Sequence, residues 1–391
     1  MRRDALAVFA VALLIRIVFC AFVSPRLGDT FSQGDGYDTI AHNLVEGRGY
    51  TLDGASAAPL RLPLVPLIYA AIFALFGPVA WPWQLVQTAL DAATCALVFL
   101  LGREHSARIG AFAAASFCAL HPTMILYTAR PMTETVYVFL VVAFVALLVR
   151  PSGRGIAAGL VLGAQLLVKS TALVSCVALL PPLWRGRRTA VRNALLSAAA
   201  VVLPWVSWNL VSFGQPHLLA ATGGLTLYHG LYISEHVGWM TPTGELNRPA
   251  ELALWREWIG RGVAIDAPVA QRDAIARRVA LDLIASRPLH TAALWSRNLL
   301  LTWYLTRGRT SMLVHLVAHA ALLAAAALGA ARLWRDGGAA RELAVTLVLL
   351  IAAYTTVHAV IHPAVRYILP AIPLAAVLAA RAFGAREAGE S

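Results

Sequence analysis

Charged residues are scarce in this chain of 391 residues: they make up 13% of it, against about 25% in a typical soluble protein. Lysine is almost missing, because Lys169 is the only lysine among 32 basic residues. Hydrophobic residues make up 59%, and several apolar runs approach the roughly 20 residues that cross a bilayer. This composition excludes an ordinary soluble enzyme, a fibrous protein and a disordered chain. It predicts a protein that crosses a membrane many times.

Several familiar chemical motifs are also missing. The four cysteines lie inside apolar runs and form no CxxC pair, so they indicate neither redox chemistry nor a metal site. No GxxxxGK[ST] or GxGxxG motif predicts a nucleotide-binding domain. No HExxH or GxSxG motif predicts a metalloprotease or a serine hydrolase. The sequence identifies no cofactor with certainty; a divalent metal is possible, but nothing in the sequence indicates one.

The net charge of +12 comes from arginines in short segments between apolar runs. A nucleic-acid-binding protein would concentrate these arginines on one soluble domain, so nucleic acid is not a predicted partner. Arginine-rich short loops mark the cytoplasmic side of a membrane protein. Placing all of them on that side predicts ten spans with both termini in the cytoplasm. The first apolar run is about as long as a span, Arg16 interrupts it and no A-x-A cleavage site follows, so the first helix is predicted to be retained rather than cleaved as a signal peptide. The predicted spans are 5–23, 83–102, 109–126, 135–149, 155–170, 171–184, 190–212, 312–332, 342–361 and 367–383.

Two longer segments, 24–82 and 213–311, then lie on the outer face. The apolar stretches 63–78 and 291–306 within them are predicted to lie along the membrane interface. Two parts of the second segment have helix-like apolar spacing and predict a small helical cap: 249–261 and 268–286. The predicted organisation is a catalytic transmembrane module over 1–212, an outer segment over 213–311 and C-terminal transmembrane helices over 312–391.

The first outer segment carries an acid in a turn. Asp35 lies between Gly34 and Gly36, and Asp38 follows shortly after. Two glycines around an acidic residue predict a turn that presents the carboxylate, although a merely solvated loop is the alternative interpretation. Arg61 lies later in the same outer segment, just before the apolar stretch. An acid and a cation are therefore expected near the membrane surface.

Other charged residues lie at predicted outward ends of spans. Glu134 directly precedes the span 135–149, where a carboxylate is costly unless it is used or paired; a helix N-terminal acid is the alternative. Lys169 either snorkels to the interface or faces an anion. Arg366 lies at another outward end, while Arg16, inside the first span, is explained by snorkelling or by pairing with another helix. Two acids and several cations at one depth are suited to hold a lipid phosphate and to deprotonate a hydroxyl.

At these residues the chain resembles the polytopic GT-C glycosyltransferases. The nearest branch is family 39-like, with protein O-mannosyltransferases and lipid A aminoarabinose transferases. The resemblance covers nearly the whole chain, and five motifs in the expected order carry it. They are GDGYDTIAHNLVEGRGY with APLRLPLVPLIYAAIFALFG, RPMTETVYVFL, GLVLGAQLLVKSTAL, LPWVSWNLVSFG and RYILPAIP.

The resemblance implies an all-α, GT-C-like multi-pass protein of the bacterial inner membrane, with its active site facing the periplasm or exterior. It implies an inverting glycosyltransferase that moves a sugar from a polyprenyl-phosphate-linked donor to a hydroxyl of a glycan, lipid or protein acceptor. Membrane lipids are the other expected partners. The sequence predicts neither the sugar nor the acceptor.

The resemblance also implies roles for individual residues. The catalytic acids would be Asp35 and Glu134, with Asp38 as the alternative base. The family's usual acid pair lies further before the tyrosine than Asp35 lies before Tyr37, so the choice between Asp35 and Asp38 stays open. The implied phosphate-binding cations are Arg61, Lys169 and Arg366, and the implied substrate-binding residues are Tyr37 and Tyr367.

The sequence leaves three alternative functions open. A transporter of polyprenyl lipids would be expected to contain internal repeats, and none is evident. An O-antigen polymerase or ligase would be expected to rely on arginines and a histidine in a late outer loop, whereas here the first outer loop carries the acid. A purely structural membrane subunit leaves the segment 34–61 unexplained.

Overall fold

The structure is a computed structural model. It describes residues 1–27, 35–54, 61–150, 154–213, 220, 222–235, 256, 260, 269–306 and 308–385. These residues fold into helices joined by short turns, and no β-strand occurs among them. The predicted all-α class is therefore confirmed. The α-helices are α1 Arg2–Val18, α2 Tyr37–Val45, α3 Leu64–Phe76, α4 Ala80–His105, α5 Arg108–Leu120, α6 Pro122–Thr128, α7 Glu134–Leu148, α8 Gly155–Leu166, α9 Leu180–Trp184, α10 Arg188–Phe213, α11 Gly223–Glu235, α12 Val269–Ser286, α13 Pro288–Tyr304, α14 Arg309–Asp336, α15 Gly338–Ile361, α16 Val365–Ile368 and α17 Ala371–Ala380.

Five of these helices are long and apolar enough to cross a membrane. They are α1 with its continuation to Arg26, α4, α10, α14 and α15. A sixth span is formed if the bent pair α5 and α6 is counted as one, and α3, α7, α8, α17 and the segment Ser170–Trp184 are shorter apolar helices. The chain is thus a multi-pass membrane protein, as predicted. The predicted number of ten spans stays a prediction.

Two of the predicted spans are not straight helices. The predicted span 109–126 bends by 54° between α5 and α6, because Pro122 follows His121 and a residue before proline avoids the helical conformation. The imidazole of His121 accepts a bond from the backbone N–H of Met124 at 3.3 Å and caps the new helix. The predicted span 171–184 begins as a 3-10 helix over Ser170–Leu179.

The chain folds into two compact units. The first comprises Met1–Leu219, Leu322–Ile351 and Leu369–Ser391, and the second comprises Ala220–Ala321 and Ala352–Ile368. The second unit therefore combines most of the predicted outer segment with a short stretch near the C-terminus. The predicted functional division at residues 212 and 311 remains a prediction.

In the first unit, α8 packs tightly against α10. Gly155, Gly159 and Gly163 form a stripe with four-residue spacing along α8. A Cβ on Gly159 would collide with the carbonyl oxygen of Ala194, and a Cβ on Gly163 would collide with the side chain of Val201. Small residues at this spacing are what allow two membrane helices to approach backbone to backbone.

A buried ion pair joins α1 to α4 in the same unit. Arg16 is fully buried, and its Nε donates to the carboxylate of Asp91. The guanidinium also donates to the carbonyl oxygens of Ala119, at 2.7 Å, and Cys118, at 3.2 Å. Arg16 therefore pairs with another helix instead of snorkelling. Such a pair lets both charges remain inside a bundle.

Arginines that the sequence places on the cytoplasmic side meet at one end of the first unit. Ion pairs there join α1, α4, α5 and α15 with the segment after α7 and the turn before α10: Arg108–Asp4 at 2.7 Å, Arg150–Glu104 at 3.8 Å, Arg187–Glu342 at 2.8 Å and Arg185–Glu342 at 3.3 Å. Arg187 also donates to the carbonyl oxygens of Leu148 and Arg150. This set of contacts is called the arginine-rich end below. That it faces the cytoplasm stays a prediction.

The second unit is built around α11, α12 and α13. Tyr228, Leu231 and Tyr232 of α11 pack on Ala276 and Ala280 of α12. On α13, Asn298 donates to the hydroxyl of Ser234, at 2.7 Å, and to the carbonyl of Ala359, at 2.9 Å. The helix predicted over 268–286 is confirmed as α12, and the helix predicted over 249–261 lies outside the described residues except at two positions.

Candidate active site

The acidic turn of the first outer segment has the backbone that the sequence predicts. Gly36 adopts φ of 84°, in the left-handed region, and a Cβ at this position would collide with the side chain of Leu52. Glycine is therefore required here, and α2 begins directly after it with Tyr37. The ring of Tyr37 is buried, while Asp35 and Asp38 are half-buried.

Arg61 meets the same turn. Its Nε donates to the backbone carbonyl of Asp35 at 2.8 Å, and its guanidinium lies 5.5 Å from the centre of the Tyr37 ring. The predicted acid and cation thus come together, although the bond goes to the backbone of Asp35 rather than to its carboxylate. The bond uses Nε alone, and a guanidinium carries four further N–H groups on its terminal nitrogens.

Tyr50 fixes the position of Arg61 from the other side. Its hydroxyl donates to the carbonyl oxygen of Arg61 at 3.0 Å. Its ring lies 5.5 Å from both Trp205 and Trp208, which are stacked at 4.9 Å. Burial raises the pKa of Tyr50, so the hydroxyl stays protonated and remains a donor. The tryptophans of the predicted LPWVSWNLVSFG motif therefore support the first outer loop.

The second acid pairs with the lone lysine. Nζ of Lys169 lies 3.0 Å from Oε1 of Glu134, and the two side chains are 17% and 1% exposed. Glu134 is the first residue of α7, so it also has the position of a helix N-terminal acid. Lys169 does not continue α8 as predicted: the helix ends at Leu166, and Lys169 is extended. The lysine is therefore engaged by an acid, rather than snorkelling to the interface.

Helix α3 brings the two groups of residues to one place. The backbone N–H of Leu64, three residues after Arg61, donates to the carbonyl oxygen of Leu167 at 3.0 Å. Further along the helix, the hydroxyl of Tyr69 donates to the carbonyl of Met132 at 3.3 Å. Burial raises the pKa of the Tyr69 hydroxyl, and the negative charges of Asp38 and Glu134 raise it further. The acidic turn, Arg61 and the Glu134–Lys169 pair thus form one cluster, called the α3 cluster below.

Two residues near the α3 cluster were not predicted from the sequence. Tyr69 belongs to an apolar stretch, and no sequence pattern around it marks its hydroxyl as part of a site. Arg130 is only 8% exposed, and its guanidinium lies 5.7 Å from the centre of the Tyr127 ring. An arginine at a predicted outward span end departs from the positive-inside rule, and this departure is the signal that would have identified it.

Arg366 and Tyr367 belong to the second unit. The guanidinium of Arg366 lies 5.3 Å from the centre of the Tyr367 ring. Tyr367 stacks on His358 at 5.4 Å and contacts His362 edge-on at 4.4 Å. Both residues lie outside the unit that contains the α3 cluster, so their participation in one site with it stays a prediction.

The second unit also contains a pair of neighbouring histidines and a cavity with a paired carboxylate. His229 lies 5.7 Å from His362, ring centre to ring centre, and burial lowers the pKa of His229 to about 4, so this imidazole is neutral at pH 7. A cavity of about 210 Å³ lies between α11, α12 and α13. At that cavity, Glu235 pairs with His290 at 3.4 Å and with Arg287 at 3.9 Å.

Within the part of the chain that the structure describes, no group of three or more His, Cys, Asp or Glu side chains is placed to hold a metal ion. The α3 cluster instead combines three carboxylates with two cations. Cations of this kind bind phosphate oxygens through charge-assisted hydrogen bonds. A carboxylate beside them is suited to accept a proton from a hydroxyl.

The fold and this cluster define a multi-pass α-helical membrane protein with a charged site at one end of its first unit. The chain is similar to two crystal structures of ArnT from Cupriavidus metallidurans, one in the apo state and one bound to undecaprenyl phosphate. The identities are 15% and 16%, the TM-scores are 0.44 and 0.40, and each match covers 97% of this chain and 77% of the other. No protein-family model matches the chain, and no curated protein matches it significantly.

Proposed function

We propose that this protein is a glycosyltransferase that moves a sugar from a polyprenyl-phosphate-linked donor to an acceptor hydroxyl at the outer face of the cytoplasmic membrane. The α3 cluster is the observation that carries the proposal. It combines Asp35, Asp38 and Glu134 with Arg61 and Lys169 around a helix of mostly apolar residues. A substrate anchored in the bilayer by an apolar chain presents its phosphate at the membrane surface, where such cations are available to it.

The cations would bind the phosphate of the donor. In sugar transfer from a polyprenyl phosphate, the bond between the anomeric carbon and the phosphate oxygen breaks, and the phosphate keeps the electron pair. Arg61 would stabilise this negative charge because guanidinium groups bind phosphate oxygens in a bidentate manner. Lys169 would contribute when its pairing with Glu134 is shared with the phosphate. Arg366 is the third proposed cation, from the second unit.

A carboxylate of the acidic turn would act as the base. It takes the proton of the acceptor hydroxyl while the hydroxyl oxygen attacks the anomeric carbon from the face opposite to the phosphate. One displacement of this kind inverts the anomeric centre. Asp35 is the proposed base and Asp38 the alternative. A polyprenyl phosphate is stable as an anion, so the leaving group needs no strong general acid. Tyr37 and Tyr367 are the proposed contacts to the substrate.

The test uses the full chain in nanodiscs with polyprenyl phosphates that carry radiolabelled sugars. A membrane extract supplies the acceptors. We expect the label to leave the donor-lipid fraction with the wild type and to remain there with the Asp35→Asn, Asp38→Asn double variant. Loss of label at the same rate with both proteins would contradict the mechanism. If every labelled sugar stays in the donor-lipid fraction with the wild type, the proposed function is contradicted.

A further inference from the structure

An apolar groove runs along the first unit at the arginine-rich end. It lies between α1, α4 and α7 and has a volume of about 590 Å³. Its walls are almost entirely apolar, with Phe9, Ala96 and Phe139 among the lining residues. Two arginines, Arg2 and Arg150, lie at its charged end. None of the α3 cluster residues that the proposed reaction uses lines the groove.

The length of the groove matches one leaflet of a bilayer. On α1 the lining extends from Arg2 to Phe9, and beside it the lining extends from Phe139 to Arg150. At 1.5 Å per residue these stretches are roughly 10 and 16 Å long. Half of a hydrocarbon core of about 30 Å is about 15 Å. The groove therefore suits an acyl chain of ordinary length, and it is too short for a polyprenyl chain.

The charge at the end of the groove selects the headgroup. Arg150 is 38% exposed and lies 3.8 Å from Glu104, a distance longer than that of a direct hydrogen bond. The arginine-rich end as a whole carries more arginines than acids. Basic pockets between membrane helices at the level of the headgroups bind anionic lipids. The groove has apolar walls, a length that matches one leaflet and two arginines, Arg2 and Arg150, at one end. From these features we infer that this groove is a binding site for one phospholipid with an anionic headgroup.

In the occupied site, the phosphate lies between Arg2 and Arg150, and one acyl chain fills the space between α1, α4 and α7. The lipid comes from the leaflet at the arginine-rich end. This assignment is independent of the sugar transfer proposed above, because it uses none of the residues in the α3 cluster. It also holds for either orientation of the protein in the membrane.

The test measures lipid binding to the full chain by native mass spectrometry. The purified protein is titrated with phosphatidylglycerol and separately with phosphatidylcholine. We expect the wild type to bind one phosphatidylglycerol at least about tenfold more tightly than phosphatidylcholine. In the Arg2→Gln, Arg150→Gln variant, phosphatidylglycerol binding should weaken by about 30-fold, the loss expected for two arginines near a membrane surface.

A matched control removes the same charge from neighbouring positions. Arg3 and Arg154 are exposed and do not line the groove. The Arg3→Gln, Arg154→Gln variant should therefore bind phosphatidylglycerol as the wild type does. A third variant, Ala96→Leu, fills the groove without changing charge and should weaken binding of both lipids. Thermal unfolding of all variants shows whether they remain folded.

Three kinds of result would overturn the inference. The first is equal binding of the two lipids by the wild type, which indicates unspecific boundary lipid. The second is an equal loss in the two double variants, which indicates net charge alone. The third is displacement of phosphatidylglycerol by undecaprenyl phosphate at lower concentration, or a dimer that forms only when the groove is intact, because either result assigns a different occupant.

Discussion

At the scale of single residues, the two acids around Gly36 have different surroundings. The backbone carbonyl of Asp35 accepts a hydrogen bond from Arg61, whereas the charge of Asp38 adds to burial in raising the pKa of Tyr69. We predict that Asp35→Asn lowers sugar transfer by about 10² to 10⁴-fold, the usual contribution of a general base. Binding of polyprenyl phosphate should survive, because cations hold the phosphate. Normal activity of Asp35→Asn together with an inactive Asp38→Asn would assign the base to Asp38.

Arg61 should behave differently from the acid. We predict that Arg61→Ala weakens binding of polyprenyl phosphate by roughly 10 to 100-fold, because a charge-assisted hydrogen bond contributes about 1.5 to 3 kcal/mol. The control is Arg48→Ala in the same loop, since Arg48 bonds Asn43 at 2.8 Å and also pairs with Glu46. Binding is measured by titration of the full chain in nanodiscs. An equal loss in both variants would indicate a general effect on the loop.

The Glu134–Lys169 pair has a structural and a proposed functional role, and two measurements separate them. Removing one partner leaves a charge of low exposure without its ion pair, so Glu134→Gln and Lys169→Met should each destabilise the protein by about 3 kcal/mol. The double variant should lose less than the sum of the two. If Lys169 binds phosphate, the double variant should be more stable than either single variant but should still bind the donor weakly. If the double variant regains both stability and donor binding, Lys169 has a structural role only.

At the scale of the element, the glycine stripe of α8 determines how closely α10 approaches. We predict that Gly159→Val lowers the thermal midpoint, because overpacking of this kind costs about 1 to 3 kcal/mol. Donor binding should fall as well, since Lys169 follows α8. The control is Leu160→Val, which places the same side chain on an exposed position of that helix. Equal midpoints in the two variants would show that the close approach is unimportant.

The helices could be predicted from the sequence better than their ends and bends. Apolar content locates a helix, but it does not report the direction of its axis. The bend before Pro122 was therefore missed, although a proline inside a predicted span is a local signal for it. The end of α8 at Leu166 was missed for another reason: Lys169 leaves the helix to meet Glu134, and that partner comes from a different part of the chain.

The candidate site divides in the same way. The turn at Gly36 follows from local sequence, because the glycine permits the left-handed backbone. The pair formed by Glu134 and Lys169 depends on the tertiary fold, and so does the pair of Arg16 with Asp91. Asp91 was not singled out from the sequence, although an acid within a predicted span is a signal in itself. Arg61 was predicted near the acidic turn and lies there, but its bond to a backbone carbonyl had no signature in the sequence.

At the scale of the whole molecule, the arginine-rich end and the α3 cluster involve opposite ends of α7. Glu134 begins α7, and Arg150 follows its end. The positive-inside rule assigns the arginine-rich end to the cytoplasm, so the α3 cluster is expected at the outer face. A polyprenyl-linked donor that has already crossed the membrane would be available there. This orientation is the part of the proposal that a labelling experiment tests directly.

The experiment places single cysteines on exposed positions in a variant without Cys20 and Cys176; the other two cysteines are buried. Thr39→Cys and Ser286→Cys test the first and second predicted outer segments, and Thr189→Cys tests the arginine-rich end. All three positions are exposed. We expect an impermeant thiol reagent to label Thr39→Cys and Ser286→Cys in intact cells, and to label Thr189→Cys only after the membrane is opened. The opposite pattern at Thr39 and Thr189 would invert the first unit and place the α3 cluster in the cytoplasm. If only Ser286→Cys is labelled, the predicted outer location is wrong for the first outer segment alone.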